Sequence, residues 1–144
     1  MKPVNQEFVD AEFGDCTRAC LASILELELD AVPNFIRFKG NWMRVFWAYI
    51  ESLGYKFYGT GWPKNEDHPN GHVLREMPNV NGFVIASVPS KSFEGGGHSV
   101  VMDVEGMVVH DPNPNKAWEG INVLEGGCLN SWMMIGTPDY EDIK

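Results

Sequence analysis

The amino-acid sequence predicts an α+β domain in which N-terminal helices pack on a C-terminal antiparallel sheet. Three observations predict it. Apolar residues recur at helical spacing in the first half, short apolar runs bounded by Gly or Pro follow in the second half, and no repeat or linker divides the chain. The 144 residues, 44% of them hydrophobic, supply enough apolar side chains for one core. We therefore expect a single domain over residues 1–144.

Helix patterns occupy the first half of the chain. Residues 16–27 place apolar side chains on one helical face, and Asp15 stands where an N-cap is expected. A second, short helix is predicted at residues 30–35. A third is predicted at residues 41–53, where an apolar stripe ends at Gly54.

Strand patterns occupy the second half, where short apolar runs alternate with turn residues. The segments predicted as strands are 55–58, 83–88, 98–104, 107–111 and 131–135, and those predicted as loops are 62–71 and 90–97.

A β-hairpin is predicted around the turn Glu105-Gly106. A two-residue turn at this point pairs residues whose numbers sum to 211. Met102 would then lie opposite Val109, Val100 opposite Asp111 and His98 opposite Asn113, and the Val101 and His110 pair would project from the other face. A slip of one residue would move every side chain to the other face of the sheet.

The charge balance bears on the possible partners. The chain has 11 Lys and Arg against 20 Asp and Glu, a formal net charge of −9, which disfavours nucleic acid and anionic membrane surfaces as partners. No stretch approaches the ~20 apolar residues that span a bilayer. Residues 1–13 lack the pattern of a signal peptide, so a cytoplasmic protein is expected.

The sequence contains three cysteines, Cys16, Cys20 and Cys128. An odd number in a reducing compartment argues against a disulfide framework and leaves packing, metal binding or nucleophilic chemistry. The spacings match no familiar zinc module, and we expect neither a metal nor an organic cofactor. Cys20 falls on the same helical face as Cys16 and is expected in the core.

Cys16 stands at the start of a predicted helix, where the helix dipole lowers the pKa of a thiol and free N–H groups can stabilise an oxyanion. In the predicted hairpin, His98, Asp111 and Asn113 project from one face. A carboxylate or amide beside a histidine fixes its tautomer and aims its other nitrogen at a nucleophile. These residues together indicate a nucleophilic site.

The segment 14–23, GDCTRACLAS, resembles the nucleophile helix of papain-like cysteine peptidases, and most closely that of double-glycine leader peptidases and their small phage and bacterial relatives. The following segment 27–35, LELDAVPNF, resembles the Leu-rich turn and Val-Pro-x-Phe segment of those relatives. Those relatives also share a second motif, which consists of a Pro-Ser loop, a strand that begins with His and a His-Asp-Pro-x-Pro turn. Three features of this sequence resemble it, namely Pro89-Ser90, the strand that begins at His98 and the HDPNP turn at 110–114.

The resemblance implies a papain-like fold and specific roles for these residues. Cys16 would be the nucleophile, His98 the general base and Asp111 the group that orients His98, with Asn113 as the alternative because papain itself uses an amide there. Gln6, the only glutamine in the sequence, would supply the oxyanion-hole side chain, although it lies further from the cysteine than in papain proper. Asn5 and the backbone N–H of Cys16 are alternatives.

The expected activity is that of a thiol hydrolase acting on a peptide or isopeptide amide bond in a peptide or protein substrate. Two alternatives remain open at this point. The fold could serve binding, for example to a host protein, with little turnover. The same residues could also act as an amidase or a transglutaminase-like acyl transferase.

Overall fold

The computed structural model describes residues 1–8, 15–60, 80–91 and 96–136. These residues form two α-helices and a five-stranded antiparallel sheet, which confirms the α+β class. The elements, in chain order, are α1 (Cys16–Leu25), α2 (Trp42–Ser52), β1 (Lys56–Thr60), β2 (Phe83–Pro89), β3 (Gly97–Asp103), β4 (Val108–His110) and β5 (Ser131–Gly136).

The first and third predicted helices are present, and the second is not. Helix α1 ends at Leu25 because Glu26 adopts the left-handed conformation, with φ 58°. The predicted helix at 30–35 is replaced by two 3-10 helices, Leu29–Ala31 and Phe35–Asn41. Val32, which precedes a proline, is extended at φ −114° and ψ 130°, because the proline ring disfavours the helical conformation of the residue before it.

The strand order in the sheet is β1-β5-β2-β3-β4, with every neighbouring pair antiparallel. All five predicted strands are present, and each of their ends lies within two residues of the prediction. The predicted loop at 62–71 lies outside the described residues, as do residues 92–95 of the predicted loop at 90–97.

Both faces of the sheet are covered by apolar side chains. Ile85 and Val101 face the helices, where they join a core built on Leu21, Ile24 and Phe46. The opposite face carries a second group of buried residues, including Val84, Val100, Met102, Trp118 and Met134. Helix α1 packs on β3 and β2 and is buried continuously over residues 19–24, so its first residue is held firmly against the sheet.

The hairpin differs from its predicted geometry at the turn. Three residues, 104–106, form the turn, and the Asp103 carboxylate accepts N–H bonds from Glu105 at 2.9 Å and Met107 at 3.0 Å. Met102 therefore lies opposite Val108, and the predicted pairing with Val109 is wrong. A β-bulge then inserts one extra residue into the second strand and restores the predicted pairing of Val101 with His110.

In the described ranges, no helix combines the length and the apolar content that a membrane crossing requires.

Candidate active site

Three of the predicted residues meet at one end of the sheet. Cys16 is the first residue of α1, His98 is the second residue of β3, and Asp111 directly follows β4. The Nε2 atom of His98 lies 2.7 Å from Oδ1 of Asp111, and the same imidazole shares the cavity wall with Cys16 and is close enough to shift the pKa of its thiol. Because Nε2 is taken by Asp111, Nδ1 is the ring nitrogen left for the thiol.

Asp111 is a fully buried carboxylate with three donors around it. Besides His98, its Oδ1 accepts the main-chain N–H of Asn113 at 3.0 Å, and its Oδ2 accepts that of Trp118 at 3.0 Å. Burial raises the pKa of Asp111, but these hydrogen bonds and the charge of His98 outweigh it, so the pKa lies below its usual value. The carboxylate is therefore ionised and fixed in orientation.

The side chain of Asn113 has a different partner. Its Oδ1 accepts the main-chain N–H of Asn115 at 3.0 Å, and its own main-chain N–H donates to Asp111. The structure thus places a carboxylate against His98, and Asn113 supports that carboxylate through its backbone.

The Cys16 thiol is half-buried, and its sulfur accepts the main-chain N–H of Ser99 at 3.4 Å. Burial by itself raises the pKa of this thiol. The interaction with His98 and its charge, together with the contacts of Ser99, outweigh burial and lower the pKa of the thiol below its usual value.

The His98 imidazole is shifted in the opposite direction. Burial lowers its pKa, but the hydrogen bond to Asp111 and the contact with Cys16 raise the pKa to about 9. A thiol with a lowered pKa beside an imidazole with a raised one favours a thiolate–imidazolium pair near neutral pH.

Asp15 does not cap α1 as predicted, since its side chain makes no capping hydrogen bond. Its buried carboxylate accepts the main-chain N–H groups of Glu7, at 3.0 and 3.2 Å, and of Phe8, at 2.9 Å. Arg18 lies 3.4 Å from the same carboxylate. Asp15 therefore fixes the N-terminal segment 1–8 beside the start of α1.

Gln6 lies in that fixed segment and is only 8% exposed. Its main-chain N–H donates to the Pro112 carbonyl at 2.9 Å, which places it beside the residue that follows Asp111. Its side-chain Nε2 donates to the Phe8 carbonyl at 2.6 Å, which engages one of the two amide hydrogens. Asn5, by contrast, is exposed and accepts a hydrogen bond from Lys116.

A cavity of about 580 Å³ opens beside the thiol, between the helices and the end of the sheet. Cys16, His98 and Ser99 lie in its wall. The rest of the wall is largely apolar and includes Ile36, Trp42, Met43, Trp47, Phe57 and Trp132.

The sequence predicts core packing for most of the five tryptophans, with Trp62 and Trp118 as candidates for a substrate cleft because they lie in predicted loops. Trp118, a predicted cleft residue, is buried in the second core, and Trp62 lies outside the described residues. Trp47 is also predicted as a core candidate, although it lies outside the apolar stripe of its helix; it is 48% exposed and lines the cavity. Its position off the buried side of α2, which carries Phe46 and Ile50, is the signal that could have identified it.

The remaining cysteines are apart from this chemistry. Cys20 is fully buried in the core, as predicted, and burial raises its thiol pKa well above the usual value. The Cys128 sulfur lies 3.6 Å from the Gly126 carbonyl oxygen. Among the described residues, no three metal-ligating side chains come together; His68 and His72 are not among those residues.

The arrangement can perform nucleophilic chemistry, because it joins a thiol of lowered pKa to an oriented imidazole at the mouth of an apolar cavity. Comparisons of the chain with protein-family models, with curated proteins and with solved structures gave no match.

Proposed function

We propose that this protein is a thiol hydrolase of papain-like fold that cleaves a peptide or isopeptide amide bond. The observation that carries the proposal is the continuous contact from the Cys16 thiol through His98 to Asp111. Helix α1, which begins at Cys16, packs against β3, which carries His98. This packing supports the proposal of a papain-like fold.

In the proposed reaction, the Cys16 thiolate attacks the substrate carbonyl carbon, and the carbonyl oxygen becomes an oxyanion. The His98 imidazolium then donates its proton to the leaving amine as the C–N bond breaks, which leaves an acyl thioester on Cys16. Neutral His98 next takes a proton from water, which attacks the thioester and releases the acid and the thiolate. Asp111 keeps the ring aligned and stabilises its charged form.

The oxyanion is assigned to two donors. One is the main-chain N–H of Cys16, because the first N–H groups of a helix have no partner inside the helix. The other is the side-chain amide of Gln6, which has a second hydrogen besides the one that Phe8 engages among the described residues. The buried position of Gln6 favours it over the exposed Asn5.

The cavity suggests which acyl groups the site accepts. Its wall near the thiol is formed largely by aromatic and Met side chains. A bulky apolar side chain on the acyl portion of the substrate would remove these surfaces from water. The net charge of −9 favours a neutral or basic substrate over an acidic one.

The test uses a peptide that carries phenylalanine and ends in an electrophilic nitrile or vinyl sulfone. We expect this probe to label Cys16 and not Cys128, as read by peptide mass spectrometry. Cys16→Ala should abolish both labelling and cleavage of the matching peptide amide. Cys128→Ala is the matched control because Cys128 is also half-buried, and it should retain both.

Two results would overturn the proposal. Equal labelling of Cys16 and Cys128 would show that the first thiol is not activated. Full cleavage by Cys16→Ala would remove Cys16 from the reaction. Adding hydroxylamine to the assay separates hydrolysis from acyl transfer, since a transferase would form the hydroxamate in preference to the acid.

A further inference from the structure

Two hydroxyl groups lie beside the reacting pair, and neither has a part in the steps described above. Thr17 Oγ1 is 2.8 Å from Ser99 Oγ, and this hydrogen bond joins α1 to β3. Thr17 directly follows Cys16, and Ser99 directly follows His98. Ser99 is buried, and both residues lie in the wall of the cavity.

Ser99 also contacts the sulfur. Its main-chain N–H donates to Cys16 Sγ at 3.4 Å, and its hydroxyl, in the same cavity wall, contributes to lowering the pKa of that thiol. A serine hydroxyl has a single proton to donate. When that proton is directed to a thiolate, the bond between the two hydroxyls requires Thr17 to be the donor and Ser99 the acceptor.

We infer that Thr17 and Ser99 form a hydrogen-bond chain that ends on the Cys16 thiolate, in the order Thr17 O–H to Ser99 Oγ and Ser99 O–H to Cys16 Sγ. The inference rests on the proposed function, because it assigns these hydroxyls to the reactive form of the same thiol. Ser99 stabilises the thiolate directly, and Thr17 is a positioning residue that acts through Ser99. Hydrogen bonds to an ionised acceptor are stronger than those between neutral groups, and a donor behind Ser99 strengthens the bond in front of it.

A purely structural role would have a different signature. If the two hydroxyls only held α1 against β3, their removal would lower the free energy of unfolding and leave the pH dependence of the thiol unchanged. If they form the proposed chain, their removal raises the apparent pKa of the thiol. The other titratable groups near the sulfur are His98, with Asp111 behind it, and Cys20, which its burial keeps protonated.

The experiment measures the rate of alkylation of Cys16 by iodoacetamide against pH in the full chain, with Cys128→Ala as the background. Ser99→Ala should raise the midpoint by about one pH unit, which is the effect of losing one hydrogen bond to a charged acceptor. Thr17→Val, which preserves shape without the hydroxyl, should raise it by less. Thr17→Ser keeps the hydroxyl and should restore the wild-type midpoint.

The double variant Thr17→Val/Ser99→Ala gives the sharpest result. Because Thr17 acts only through Ser99, the double variant should have the midpoint of Ser99→Ala alone, and additive shifts would contradict the chain. The inference would be overturned if Ser99→Ala and Thr17→Val both had the wild-type pH midpoint for alkylation of Cys16. This holds even if the two variants unfold at a lower temperature. If Ser99→Ala does not fold, the alkylation midpoints of Thr17→Val and Thr17→Ser are compared instead. Equal midpoints in these two variants would overturn the inference.

Failure of this inference is distinguishable from failure of the proposed function. If wild-type Cys16 titrates as an ordinary thiol and His98→Ala has the same profile, the proposed function fails. If wild-type Cys16 has a lowered midpoint that His98→Ala raises, and the hydroxyl variants leave it unchanged, only the hydrogen-bond chain fails.

Discussion

His98 and Asp111 are joined by a 2.7 Å contact between Nε2 and Oδ1, and this contact connects β3 to the residue that follows β4. It lies at the end of the hairpin opposite to the turn. The carboxylate is held from its other side by the N–H groups of Asn113 and Trp118. The orientation of the imidazole therefore depends on the segment after β4 as much as on the strand that carries it.

We predict that Asp111→Asn lowers kcat by about a hundredfold or more, because an amide cannot stabilise the imidazolium as a carboxylate does. The measurement is steady-state cleavage of a peptide amide at pH 7. Asn113→Ala is the control, because it keeps the main-chain N–H that donates to Asp111, and it should have near wild-type kcat. A large loss in Asn113→Ala with normal turnover in Asp111→Asn would reverse the two assignments.

Turnover should depend on pH through both members of the reacting pair. The pKa of Cys16 lies below its usual value and that of His98 is raised to about 9, and both shifts favour the pair of thiolate and imidazolium. Turnover is expected to fall in acid as the thiolate gains a proton. It should fall again as the pH rises through about 9, because His98 then loses the proton that the leaving amine needs.

His98→Ala tests the origin of this pH profile. The variant removes the hydrogen bond and positive charge that lower the pKa of Cys16, while burial, which raises it, remains. The midpoint for alkylation of Cys16 should therefore move upward. An unchanged midpoint in His98→Ala would show that the two side chains are not coupled in solution.

Trp47→Ala should weaken the binding of substrates that carry an apolar side chain. Trp47 lines the cavity beside Phe57, with ring centroids 5.2 Å apart, and is 48% exposed. Loss of its ring should raise KM about tenfold for a phenylalanine-containing peptide, with little change in kcat. Phe38→Ala is matched in exposure, also 48%, and Phe38 is not in the cavity wall, so KM should not change. An equal change in KM in Trp47→Ala and Phe38→Ala would show that the cavity does not bind the apolar side chain of the substrate.

Asp15→Ala should destabilise the protein by about 2–3 kcal/mol, because a buried carboxylate that accepts two main-chain N–H groups is lost. Urea unfolding followed by tryptophan fluorescence measures the change. Asp30→Ala removes the other aspartate near Arg18, at 3.9 Å and with a side chain that is 97% exposed, and should leave the midpoint unchanged. A stable Asp15→Ala would mean that the N-terminal segment is held by other contacts.

The sequence was sufficient to predict the elements with strong periodicity and the residues that meet at the site. Cys16, His98 and Asp111 were found because a helix start and a hairpin are local patterns. The predicted two-residue length of the hairpin turn is wrong. The Asp103 carboxylate accepts two main-chain N–H groups and thereby favours a turn of three residues. The pairing at Val101 was right because the bulge compensates for that difference.

Long-range contacts explain what the sequence could not predict. Asp15 has the residue type and position of a helix cap, yet its carboxylate binds Glu7 and Phe8, because those N–H groups approach it in the folded chain. Likewise, Trp47 lies off the buried side of α2, but its place in the cavity wall depends on the approach of Phe57 from β1, whose ring centroid is 5.2 Å away. Each of these features requires knowledge of which segments become neighbours.

The position of β5 has a consequence for the order of events on the ribosome. This strand is the last in the described chain, yet in the described sheet it lies between β1 and β2. As the chain emerges, the strand that pairs with β1 in the described sheet is made some seventy residues after β1 itself. Trp132 and Met133 in that late strand also form part of the cavity wall beside Cys16. A nascent chain thus carries its thiol and part of the cavity wall before the wall is complete, and the complete cavity forms only after residues 131–136 have been made.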